Sequence, residues 1–226
     1  MSPIKIALLF VPASGGAQSA AQDKAPGAAT LPPTIPIFPL QDVMLFPNVP
    51  RPLYIFEPRY RAMVADALKG DRIIGMVLLR PGYEADYEGR PPVFPIGCAG
   101  VITDVQELPD GRYAIVLRGL VKFRVASEDG SHAYRLARDE AIPEEQDANE
   151  KAALHTQRPR LEALLARSMP ANAEPPPPEF SDVDLVNGLA QYLKIDPIVR
   201  QNLLEREGVL ARAQALIDLL EKAPPR

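Results

Sequence analysis

Between Ile35 and Ile142 the apolar residues fall in short runs bounded by turn residues, and after Pro143 they recur every three or four positions. The first part therefore reads as strands and the second as helices. Ile35–Phe38, Val43–Phe46 and Leu53–Phe56 are strand-like runs, while eight prolines from Pro32 to Pro58 confine this stretch to extended or turning backbone. Ile73–Leu79 is apolar throughout, the pattern of a strand covered on both faces. Pro109-Asp110-Gly111 separates two further runs and predicts a hairpin, with glycine supplying the positive φ. Val121-Lys-Phe-Arg-Val125 alternates apolar and basic, which predicts a half-buried strand with Lys122 and Arg124 on a solvated face. One helix interrupts the strands. Glu57-Pro58 opens it, Tyr60, Met63, Val64, Ala67 and Leu68 form its apolar stripe, and Gly70 ends it. Six or seven short strands with so much proline predict a small closed or nearly closed barrel over residues 32–142.

Residues 143–222 follow the helical period. Glu144–Glu150 reads as an acidic, solvated joint, followed by a helix over about 147–167 that Pro159 kinks or splits. Pro175–Pro178 make a stiff, extended spacer. Ser181-Asp-Val-Asp184 has the form of a capping box, and Asp196-Pro197 pairs a cap with a proline at the first helical position. Gly208 breaks the next stretch, and Leu210, Ala213, Leu216, Ile217 and Leu220 stripe the last helix. The expectation is a small bundle of three or four antiparallel helices, giving an α+β protein.

Composition removes several classes of function. The 226 residues carry a net charge of −4, which argues against a phosphate-neutralising, nucleic-acid-binding protein. One cysteine excludes an internal disulfide framework and a multi-cysteine zinc site, and two histidines make a histidine-rich metal centre a poor fit. No cofactor and no metal are expected. Nothing reaches the length of apolar sequence that a membrane span needs. Residues 1–30 differ from the rest. Lys5, the apolar run Ile6–Val11 and the small residues through Ala21 have the order of a secretory signal peptide, although the run is short. The alternative is a disordered tail; the first reading places the protein in the periplasm or outside the cell, the second in the cytoplasm.

Candidate chemistry is sparse. No G-x-x-x-x-G-K-[ST] pattern is present, which excludes a P-loop ATPase. Gly97-Cys98-Ala99-Gly100 lies within a strand pattern, so a bulge or a close backbone approach fits better than a phosphate site. Cys98 sits in an apolar run with no cation beside it and reads as a buried, inert thiol. His132 and His155 read as surface residues outside any nucleophile–base motif. Glu57 and Asp110 have local duties at a helix start and a turn. Arg118, Lys122 and Arg124 form either a binding patch or, the better fit, a solvated strand face. The loop Arg80–Pro92 holds Tyr83 and Tyr87, either for binding or packed down.

The ordered motifs resemble a known family. Ile37-Phe-Pro-Leu-Gln-Asp-Val-Met-Leu-Phe-Pro47 and Leu53-Tyr-Ile-Phe-Glu-Pro-Arg-Tyr60 are similar to the opening of the substrate-binding N-terminal domain of ATP-dependent Lon proteases, and more so to free-standing bacterial proteins carrying that domain alone. Ile96–Ile102, Pro109–Tyr113, Leu117–Val125 and the helical tail with Leu203-Leu-Glu205 and Arg212 agree in order. The resemblance covers about residues 32–222. It implies a PUA-like β pseudo-barrel with one packed helix, followed by a C-terminal helical bundle, and a role in recognising unfolded or tagged polypeptide. The Ser-Lys dyad and ATPase of those proteases belong to other domains, and this sequence stops where they would begin. The expectation is therefore a non-enzymatic module of protein quality control that binds unfolded or flexible polypeptides on a shallow apolar or aromatic surface between barrel and bundle, or by adding a strand to an open edge. Phe56, Arg59, Tyr60, Tyr83 and Tyr87 are the candidate contact residues, with core packing as the alternative role of the first three. An RNA-binding PUA-like module and an unrecognised enzyme are the rival classes. Client and oligomeric state are not legible.

Overall fold

The computed structural model describes residues 31–83, 89–168 and 180–222. The segment 1–30, Tyr87 and Pro175–Pro178 lie outside these residues. Six strands come first: β1 (Thr34–Leu40), β2 (Pro50–Ile55), β3 (Ile73–Leu78), β4 (Ile96–Glu107), β5 (Tyr113–Asp129) and β6 (Arg135–Ile142), with helix α1 (Pro58–Ala67) between β2 and β3. Four helices follow: α2 (Ala148–Ser168), α3 (Asp182–Tyr192), α4 (Pro197–Leu204) and α5 (Gly208–Lys222).

The sheet order is β2-β5-β4-β3-β1-β6, and β6 also pairs with β5. That extra pairing closes β5, β4, β3, β1 and β6 into a ring. Strand β5 makes closure possible by its length. Its first part, 113–118, pairs with β2, and its second part, 122–129, with β6. The β4–β5 hairpin turns on Pro109-Asp110-Gly111 as the sequence indicates, with Gly111 at φ 77° and the Asp110 carboxylate accepting from the Arg112 amide at 3.1 Å. The β4–β5 register shifts opposite Ala99 and Gly100, where Leu120 of β5 is the extra, bulged residue. The glycine-flanked motif itself meets a close backbone approach: a Cβ on Gly97 would lie 2.4 Å from the Met76 carbonyl oxygen.

Strand β3 is buried along its whole length because its two faces serve different cores. Ile73 and Val77 join Ile35, Ile37, Ala99, Phe123 and Ala137, a small cluster drawn from all five strands of the ring. Ile74, Met76 and Leu78 face a larger cluster that includes Met63 and Val64 of α1 and the leucines of the bundle. Pro58 sits at the start of α1 behind Glu57, as its sequence pattern requires. In α3 the Ser181 hydroxyl accepts from the Asp184 amide at 3.1 Å, and in α4 the Asp196 carboxylate accepts from the Ile198 amide at 2.8 Å.

Four expectations need correction. Val43–Phe46 is not a strand. Its backbone finds partners in side chains of the bundle: Gln191 accepts from the Phe46 amide at 2.9 Å, and Asn187 donates to the Pro47 carbonyl at 3.0 Å. Gln191 also donates to the Pro50 carbonyl at 2.9 Å. Lys122 is not solvated either. It is buried, its ammonium 2.9 Å from Glu144 and donating to the Arg206 carbonyl at 2.8 Å, because the bundle covers that face of β5; Arg124 does remain exposed. Glu144, read as part of a solvated joint, has a side chain only 9% exposed and also contacts Arg212, which is fully buried. Helix α2 runs through Pro159 without a break.

Candidate functional site

The arrangement of β2 follows from its prolines. The Val49 carbonyl accepts from the Gly119 amide at 3.1 Å, so residues of odd number along β2 turn their backbone groups toward β5. Pro50, Pro52 and Tyr54 then turn theirs toward the free edge, where the two prolines have no N–H to donate. The Pro50 carbonyl is taken by Gln191 and the Tyr192 hydroxyl. The Tyr54 amide is the one donor β2 offers along that edge, which makes strand addition a weak mode here.

Side chains give this strand its surface. Tyr54 is 47% exposed and Phe56 59% exposed. Spaced two residues apart, they share a face, with ring centroids 6.5 Å apart. Ala114, opposite Tyr54, and Val116, opposite Pro52, are half-buried, so the apolar area continues onto β5. The Arg112 guanidinium covers one side of the Tyr54 ring at 5.2 Å from its centroid and forms an ion pair with Asp110. This hydrogen-bonded pair holds the Asp110 carboxyl below its ordinary range.

Arg59 and Tyr60 line a different feature, a cleft of about 270 Å³ beside the start of α1. Tyr60 is only 3% exposed, with its ring centroid 4.4 Å from that of Phe38. Arg59 lies over the Tyr60 ring at 4.6 Å and pairs with Glu57 at 3.0 Å. Tyr134, also in this cleft, donates to Asp66 at 3.1 Å; burial first, then this carboxylate, pushes its phenol up to about 12. Tyr83 is 48% exposed and lines a separate hollow of about 70 Å³ with Leu79, Arg80 and Ile198. Leu79 borders both spaces.

Between barrel and bundle runs a third groove, of about 310 Å³, with Leu120, Val121 and Ile142 on one side and Val183 and Val209 on the other. Lys122, Glu144 and Asn187 also line it. None of the described candidate residues reaches it. The structure thus brings Arg59 and Tyr60 together, sets Tyr83 nearby and places Phe56 on the β2 face. Tyr54 was missed because an unbroken run, Leu53-Tyr-Ile-Phe56, gives no sign of which alternate positions face water.

Among the described residues, no group of three or more His, Cys, Asp or Glu side chains is placed to hold a metal ion, and no helix is long and apolar enough to cross a membrane. Cys98 is fully buried, and burial pushes its thiol up. The His155 ring contacts Asp182 at 3.1 Å, and His132 contacts Ser131 at 2.8 Å; both histidines are exposed.

Comparison with known proteins gives a consistent result. The family model of the ATP-dependent protease La (LON) substrate-binding domain matches residues 34–222. Lon protease 2 of Myxococcus xanthus is 25% identical over 199 residues, which is 85% of this chain and 24% of that protein. The chain therefore spans about a quarter of the length of the curated relatives it matches. Among solved structures, the N-terminal domain of a Mycobacterium avium complex Lon protease aligns with a TM-score of 0.62 at 19% identity, covering 84% of this chain and all of that one. A Lon N-terminal domain protein from Xanthomonas campestris aligns with a TM-score of 0.56 at 22% identity, covering 84% of this chain and 99% of that one.

Proposed function

The chain belongs to the family of the ATP-dependent protease La (LON) substrate-binding domain, and from that membership we propose that it is a non-catalytic module that holds unfolded or flexible polypeptide in protein quality control. The observation that carries the proposal is the pair Tyr54 and Phe56. Their exposed rings stand on a sheet face that continues through Ala114 and Val116, and no element among the described residues covers them. Such apolar area at a surface favours association with another chain. Aromatic rings give large contact area with few torsions to freeze, which suits clients without a common sequence.

The alternate geometry of β2 favours side-chain contacts over backbone pairing, since its free edge offers one donor. Phe56 is thus the member of the candidate set best placed for a client, with Tyr54 beside it. Tyr60 contributes mainly to packing, through Phe38 and α1. The test is the double variant Tyr54→Ser, Phe56→Ser, assayed for delaying aggregation of a chemically denatured client. Both side chains are surface residues, so melting should change little, whereas protection of the client should be lost. Undiminished protection by a folded double variant rejects the surface.

A further inference from the structure

The cleft at the start of α1 has a charge pattern that the apolar surface on β2 does not explain. Its ten described lining residues include Arg59, Arg90 and Arg135 and no carboxylate, in a chain whose net charge is −4. Two of these arginines are already matched. Arg59 pairs with Glu57 at 3.0 Å. Arg135 takes Glu128 with two bonds of 2.6 Å and donates a third, of 2.8 Å, to the Pro91 carbonyl. Arg90 has neither an ion pair nor a hydrogen bond with any described residue, and its guanidinium lies against Gly130. Among the described residues, one positive charge without a counterion therefore borders a small concave space whose remaining described walls are tyrosine, proline, leucine, glycine and alanine.

We propose that this cleft is a second binding site of the module, one that captures a carboxylate of the client polypeptide, with Arg90 as its principal contact. The inference rests on the polypeptide-binding reading above. A guanidinium presents paired donors that match the two oxygens of a carboxylate, and such charge-assisted bonds are stronger than neutral ones. At about 270 Å³ the space lies at the small end of ligand sites, suited to a side chain or chain end rather than a whole cofactor. The carboxylate comes either from an Asp or Glu side chain or from the chain terminus. Both sources offer the same chemistry to Arg90.

The experiment measures affinities of the full chain for a fluorescent ten-residue peptide carrying two phenylalanines, made in three forms. One has a free C-terminus and no acidic residue, one is amidated, and one is amidated with an internal Glu. The expected result is that the amidated neutral form binds about tenfold more weakly than at least one carboxylate form. Whichever form gains identifies the source. Arg90→Met should erase the gain. Gly130→Ala should reduce it while keeping every charge, because an added Cβ would lie 2.6 Å from the Arg90 guanidinium and displace it. Equal binding of all three peptides, or a gain that survives Arg90→Met, overturns the carboxylate site and leaves the polypeptide reading intact. Absence of binding by every peptide overturns both.

Discussion

Glu144 is the residue whose replacement should reveal most about how the two halves hold together. Its carboxylate lies 2.6 Å from Arg212 and 2.9 Å from Lys122. Arg212 also donates to the Leu203 carbonyl at 3.0 Å and to Asn187, which in turn donates to the Pro47 carbonyl. One acidic group thus serves two buried cations and ties β5, the joint and three helices into one network. Glu144→Gln keeps the shape and removes the charge, leaving two like charges with no counterion. Removal of one partner from a buried ion pair costs about 3–5 kcal/mol. For a protein of this size, each kcal/mol lowers Tm by about 2–4 °C, so the fall should be about 6–20 °C. Urea unfolding followed by circular dichroism measures the loss directly. Lys122→Met should cost less in the Glu144→Gln background than alone, with a coupling of at least about 1 kcal/mol, because it then removes a surplus charge. A loss below about 1 kcal/mol for Glu144→Gln, or strict additivity, would refute the network as a tie between barrel and bundle.

Other positions give independent checks. Gly119→Ala would place a Cβ 2.0 Å from the Phe46 carbonyl oxygen, so a loss of about 3 kcal/mol or a failure to fold is expected in the same unfolding assay. Gly188→Ala, with nothing within 4 Å of the new Cβ in α3, should instead stabilise by about 0.5–1 kcal/mol. The Cys98 thiol, fully buried and pushed up by that burial, should resist a thiol-reactive dye in the native state and react fully in denaturant. Burial raises the Asp139 carboxyl to about 6, and one of its oxygens is buried without a partner. The native state then binds the proton more tightly than the unfolded chain, so this group's contribution to stability declines between about pH 4 and pH 6. Asp139→Asn should remove that decline and leave the variant more stable than the parent at pH 7, as read from urea midpoints at several pH values.

Local signals decided which elements were legible. The hairpin at Pro109-Asp110-Gly111, the Pro58 helix start and the caps at Ser181 and Asp196 each depend on residues close in sequence, and each stands where its pattern puts it. The continuous run of β3 signalled burial on both faces correctly, since both cores lie against it. Long-range partners were invisible. Lys122 alternates as an outward-facing residue, and it does face out of the ring, but the turn at Arg206 between α4 and α5 and the joint at Glu144, rather than water, lie beyond it. Val43–Phe46 has the composition of a strand, yet Gln191 and Asn187, some 140 residues on, supply backbone partners that a strand would otherwise provide. At the candidate surface, apolar residues on both faces of β2 concealed that Tyr54 and Phe56 share the open one. The arginine cleft was only half visible. Arg59 and Tyr60 sit in one motif, whereas Arg90 and Arg135 come from segments that meet them only after folding.

The central claim is that polypeptide is held at the aromatic face of β2. Photo-crosslinking tests it most directly: a photoreactive phenylalanine analogue is placed in turn at Tyr54, at Phe56 and, as a comparison, at Val183 in the barrel–bundle groove, with a denatured client present. The account predicts strong client adducts from the first two positions and weak ones from the third. Adducts concentrated at Val183, or absent from all three positions while the client still binds, would contradict it.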